Sequence, residues 1–76
     1  MLELVEVIIK TLVDNPDAVK VKEVDGNNVI IYEVQVEKSD MGKIIGKHGQ
    51  TAGAIRTILN AASAKNKRHA IMEILE

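Results

Sequence analysis

Residues 40–57 read DMGKIIGKHGQTAGAIRT, and the rest of the chain is organised around them. At the centre, Gly46 and Gly49 bracket Lys47 and His48. Ile44 and Ile45 precede the loop, and Ile55 and Ile58 follow at helical spacing. The pattern predicts helix, tight glycine loop, helix. Glycine lacks a Cβ, so it adopts positive φ and lets another backbone come close. Gly46 is expected to close the first helix in a left-handed cap. Gly49 is expected to open the second, whose first N–H groups lack intrahelical partners and carry partial positive charge. Such donors suit a phosphate. Lys47 adds a cation, and His48 adds another when protonated.

Two glycines between helices also make a plain turn, and the spacing alone does not separate the two readings. It counts against a nucleotide P-loop, the nearest competitor, which needs Gly, four residues, Gly-Lys and a hydroxyl. Here three residues separate Gly42 from Gly46-Lys47, and His48 stands where the hydroxyl belongs.

The charge pattern points to the same stretch. The net charge of -1 looks wrong for a nucleic-acid binder. Residues 1–40 carry nine acids and four lysines, whereas residues 41–72 carry Lys43, Lys47, Arg56, Lys65, Lys67 and Arg68 with no acid. The basic half is the half with the loop, an asymmetry that marks nucleic-acid faces as well as solvated surfaces. The 76 residues suffice for one small domain, 1–76. There is no cysteine for a disulfide or a thiolate metal site. No apolar run reaches a membrane span of about 18 residues, and Glu3 and Glu6 interrupt anything resembling a signal peptide. The expected location is the cytoplasm. The histidines have no paired acid nearby in sequence and no metal-ligand spacing appears, so neither an enzyme, a metal site nor a cofactor is expected.

Leu2 to Val13 is expected to be an amphipathic helix burying Leu2, Val5, Ile8, Ile9 and Leu12, ended by Asn15-Pro16. Val19 to Val24 and Val29 to Glu37 alternate as strands around the turn Asp25-Gly26-Asn27-Asn28, predicting a hairpin. Ile30, Tyr32, Val34 and Val36 share one strand face, which makes Tyr32 a core residue sooner than a base-stacking one. Ser39 or Asp40 is a natural N-cap for a short helix from Met41 to Ile45. The helix after the loop runs to about Ala64 and is expected to bury Ile55, Ile58, Leu59 and Ala62. Gly53, Thr57 and Ala61 recur on its outer face, where small residues let another helix approach, so a dimer is expected there. His69 to Leu75 is a last strand, facing the core with either Ile71 and Leu75 or Ala70, Met72 and Ile74.

The stretch Ile44 to Ile55, IIGKHGQTAGAI, resembles the signature of the KH domain: an apolar residue, Ile-Gly, two residues, Gly, and an apolar residue on the following helix. The order αββααβ resembles the type II, bacterial form, an α+β fold with a three-stranded sheet packed on one face by three helices. Across its length the chain is similar to the small stand-alone bacterial KH-domain proteins of the KhpA-like family. The resemblance implies binding of single-stranded RNA, with the loop clamping the backbone of about four nucleotides. Their bases would lie in an apolar groove between the two central helices and a sheet edge. It assigns Gly46, Lys47, His48 and Gly49 to the phosphates, and Ile44, Ile45 and Ile55 to supporting or lining the groove. Lys43 and Arg56 become backbone contacts or solvated helix charges. The chain departs from the family at Gln50, where relatives often carry Arg or Lys. The resemblance further implies a homodimer, or a heterodimer with a larger KH-containing partner of the Jag type. It also implies post-transcriptional regulation or RNA chaperoning linked to cell elongation and division. The competing reading is a protein-interaction subunit with little RNA affinity.

Overall fold

Alternating apolar residues make the strand Val29–Gln35 the centre of the molecule. In the computed structural model, which describes residues 1–75 with the side chain of Asn66 left aside, that strand lies between the other two of the sheet. The elements are α1 (Leu2–Leu12), β1 (Lys20–Asp25), β2 (Val29–Gln35), α2 (Met41–Ile45), α3 (Gln50–Ser63) and β3 (His69–Leu75). β1 pairs antiparallel with β2, Val24 opposite Ile31, and β3 pairs parallel with β2, Ile71 opposite Ile31. This is the expected αββααβ order, an α+β fold of the type II KH kind. A parallel pair cannot be closed by a hairpin. α2, the glycine loop and α3 form the crossover from β2 to β3.

The core follows the period-2 pattern of β2. Ile30, Tyr32, Val34 and Val36 are buried beneath the helices, with Ala70 and Met72 beside them and Ile74 half-buried. The last strand therefore uses the Ala70–Met72–Ile74 face, and Ile71 and Leu75 lie exposed on the open side of the sheet. Tyr32 is fully buried, and burial, then the charge of Glu23, raises its phenol above the ordinary value.

Two expected helix faces are corrected. α1 buries Val5 and Ile9 but leaves Leu12 exposed, because the helix stops at Leu12 and Val13 continues extended into the core. On α3 the buried stripe is Ala52, Ile55, Leu59 and Ser63. That stripe centres on Leu59, so Ala62 is only half-buried and Ile58 is 50% exposed.

Asp40 departs from expectation in a consequential way. It precedes α2 but makes no side-chain cap bond to it. Its carboxylate, 1% exposed, turns instead to the chain leaving α1. There it accepts the backbone N–H of Asp14 at 3.2 Å, the backbone N–H of Asn15 at 3.0 Å and the Asn15 amide at 3.0 Å. Lys43 Nζ bridges the acids, 2.7 Å from Asp14 and 3.4 Å from Asp40. Burial alone would raise the Asp40 carboxyl; the donors from Asp14, Asn15 and Lys43 outweigh it and hold the group below the ordinary range. The Lys43 ammonium is raised in turn, first by its bond to Asp14.

A carboxyl depressed by folding stabilises above its unfolded value and loses that contribution as pH falls through its folded value. Thermal melts followed by circular dichroism should therefore show a midpoint falling steeply with acidification below about pH 4. Asp40→Asn should melt lower at neutral pH and show a flatter acid limb, since its amide opposes the donors it replaces. A midpoint displaced equally at every pH would remove Asp40 from the acid response.

Candidate nucleic-acid interface

The loop is built by two glycines with different reasons to be glycine. Gly46 ends α2, its N–H bonded to Gly42 O at 2.9 Å, with φ 75 and ψ 171. Its φ is positive as expected, but its extended ψ is not that of a left-handed cap. A Cβ at Gly46 would run into the Thr51 hydroxyl and lie 2.6 Å from Thr51 Cβ and 2.8 Å from its backbone nitrogen. Gly46 is thus the contact point between the two helix ends. The left-handed residues are His48 (φ 56, ψ 26) and Gly49 (φ 73, ψ 12). Gly49 donates to Gly46 O at 3.1 Å and closes the turn that launches α3. No atom would meet a Cβ at Gly49 within 4 Å, so its outer side is open to an approaching ligand. His48 holds a conformation that disfavours most side chains, a form of strain that gathers at functional sites.

The expected site residues divide by burial. Lys47 and His48 are exposed at the tip, and Ile45, 39% exposed, lies at its foot. Ile44 and Ile55 are buried in the core, on the helices that precede and follow the loop. Lys43 is held by Asp14 and Asp40, so its charge is already answered within the protein. Arg56 reaches from α3 to the edge of the sheet, where Nη2 donates to Met72 O at 3.3 Å. Gly53, Thr57 and Ala61 are exposed on the outer face of α3.

The six cations of residues 41–72 are therefore not equivalent. Lys43 is paired as above and Arg68 pairs with Asp25, also donating to Gly26 O at 2.9 Å. Lys47, Arg56, Lys65 and Lys67 have no ion-pair partner among the described residues. The acids of the first half neutralise two cations that bind the fold together and leave the loop tip positive.

Sequence reasoning missed two residues that shape this face. Asp40 carried only a capping signal. Asn60 carried none, yet its Oδ1 accepts the Ala70 N–H at 3.3 Å and contacts His69 Nδ1 at 3.2 Å. Its amide donates to Arg56 O at 3.0 Å. No group of three or more His, Asp or Glu side chains is placed to share a metal ion among the described residues. No helix among them is long and apolar enough to cross a membrane.

The glycines should respond unequally. Gly46→Ala combines a strained φ with overpacking against Thr51 and should cost about 2–5 kcal/mol in urea unfolding. Gly49→Ala meets open space and should cost about 1–2 kcal/mol for its left-handed backbone alone. Equal losses would contradict the contact with Thr51.

Comparison with known proteins accords with this geometry. The family described as "KhpA/KhpB, KH domain" matches residues 2–74. The RNA-binding protein KhpA of Caldanaerobacter subterraneus subsp. tengcongensis is 55% identical over 73 residues, covering 96% of this chain and 97% of that protein. The RNA-binding protein KhpA of Chlamydia pneumoniae is 50% identical over 76 residues, covering 100% and 97%. That of Clostridium perfringens is 51% identical over 75 residues, covering 99% and 100%. No solved structure gives a significant match. A match over nearly every residue, together with the αββααβ order and the glycine loop in its crossover, establishes that the chain belongs to the KhpA/KhpB KH-domain family.

Proposed function

We propose that this protein binds single-stranded RNA, with Gly46, Lys47, His48 and Gly49 clamping the phosphate backbone. One observation carries the reading: two exposed basic side chains, unpaired with acids among the described residues, sit on a turn whose outer side is open. That turn ends at the N-terminus of a 14-residue helix, whose dipole favours an anion. The relatives named as RNA-binding proteins support it. Ile45 offers exposed apolar surface beside the clamp, and Ile44 and Ile55 hold it in place. The role is non-enzymatic, with RNA-level regulation or chaperoning in the cytoplasm as its setting.

Lys47→Asp with His48→Asp should leave the circular dichroism spectrum unchanged and abolish binding of a short labelled RNA in fluorescence anisotropy. Exposed substitutions of this kind shift stability by only about 0.5 kcal/mol, while two anions would repel the phosphate. For the parent, two to four phosphate contacts give a log–log salt slope of roughly -1.5 to -3, at about -0.7 each. A folded double variant that binds like the parent would sink the clamp.

A second role rests on the outer face of α3. Gly53, Thr57 and Ala61 are exposed in a row, and Ile58 beside them is 50% exposed. No atom would meet a Cβ at Gly53 within 4 Å, so the position has no intramolecular reason to be glycine. This face suits a second copy, or a larger KH-containing partner of the Jag type. Ala61→Phe should keep the fold and shift sedimentation to a monomer. A dimer that survives it would place the interface elsewhere.

A further inference from the structure

The helices cover one side of the sheet, so the strand register fixes what the open side shows. Ile30, Tyr32 and Val34 are buried beneath the helices, and the residues that alternate with them on β2 point the other way. Across the sheet this gives the rows Val24–Ile31–Ile71, Lys22–Glu33–Glu73 and Lys20–Gln35–Leu75. The first row is apolar throughout. Val24 and Ile71, on its outer strands, are both exposed, as is Leu75.

The charged row is left unanswered within one chain. Glu33 and Glu73 are direct neighbours in register, and like charges so placed repel. Lys20, Lys22, Glu33 and Glu73 make no ion pair among the described residues. Their signs are sorted across the sheet, with the lysines on β1 and the carboxylates on β2 and β3. Two strand spacings, about 10 Å, separate Lys22 from Glu73.

A face with one basic and one acidic margin complements itself when turned over. A twofold axis parallel to the strands lays β1 of one copy over β3 of the other and keeps every row in register. Lys22 of each copy then faces Glu73 of the other, Val24 of each faces Ile71 of the other, and Ile31 meets Ile31 on the axis. The two Glu33 side chains also meet there, flanked by Lys22 from both sides. Lys20 and Lys22 of the two copies balance Glu33 and Glu73 of the two. Leu75 falls over Lys20, at a depression of about 230 Å³ lined by Lys20, Val21, Lys22, Glu33, Gln35 and Leu75. An axis across the strands would instead set Lys22 on Lys22 and Glu73 on Glu73.

We propose that the open face of the sheet is a contact between copies of this chain: two sheets stack face to face about a twofold parallel to their strands, with Lys22 of each on Glu73 of the other and the Val24–Ile31–Ile71 rows between them. Aligned sheets pack this way, about 10 Å apart. The contact goes beyond RNA binding and uses none of the α3 surface. Its size sets its strength. The flat face measures roughly 300 Å², against about 800 Å² per partner in a standard stable interface. Its Kd is therefore expected near about 1 mM. Such a contact acts between copies already held close by another one, where effective concentrations reach the millimolar range. It leaves Ala61→Phe a monomer at micromolar concentrations.

The test is NMR on the Ala61→Phe chain, in which the α3 face is blocked, from about 0.05 to about 2 mM, a range that brackets the expected Kd. The amide signals of Val24, Ile31, Ile71 and Glu73 should shift with concentration while translational diffusion slows. Lys22→Glu and Glu73→Lys are each added to that chain and checked for fold by circular dichroism. Either one should weaken self-association about tenfold or more, since like charges then meet twice across the axis. An equimolar mixture of the two should regain it, because each variant supplies the charge that the other lacks. An Ala61→Phe chain that stays monomeric and unshifted at the highest concentration overturns the contact. Shifts confined to other surfaces overturn it as well, and so do single variants that associate undiminished or a mixture that associates no better than its components.

Discussion

The parallel pairing of β2 with β3 is the constraint from which the rest follows. It obliges the chain to leave one end of the sheet and return to the other, and the return path is α2, the glycine turn and α3. α2 has only five residues, too few to hold its own position. Ile44 anchors it in the core, and Asp40 ties its start to the exit of α1. At the far end of the crossover, Arg68 grips the β1–β2 turn through Asp25 and Gly26, and the His69 N–H bonds Asn28 O at 2.9 Å. The loop between these anchors is exposed, yet both of its flanks are fixed.

Those anchors explain how an acidic chain presents a basic face. The carboxylates of Asp14, Asp40 and Asp25 are spent on Lys43 and Arg68, where charge serves cohesion. What remains outward on the crossover is positive. Net charge is therefore a poor guide to this molecule, and the pairing of individual charges a good one.

Much of this was legible in the residues. The period-2 run of β2, the turn at Asp25 to Asn28 and the glycine loop each declare themselves locally, and the element order followed. Failures came where a side chain answers to something distant in sequence. Asp40 looks like a cap to its neighbours and is a clamp to residues 14 and 15. Ile58 has helical spacing from Ile55, but the stripe that meets the sheet runs through Leu59 and passes it by. The positive φ of Gly46 was foreseeable; its ψ was not, because Thr51 sets the room available. Arg56 reads as a backbone contact or a solvated helix charge, and its bond to Met72 O shows only once β3 is in place beside it.

The strand that completes the sheet is also the last of its elements to be made. β2, α2, the turn and α3 all precede β3 in the chain, and β1 gives β2 a partner on one side only. A growing chain that has already produced Lys47 and His48 still lacks the edge that holds α3 in place. Pairing Ile31 with Ile71 is a long-range event of the kind that closes late in folding. The positive tip consequently sits on a crossover whose near end is anchored by residues made before it and whose far end is secured only once β3 has been made.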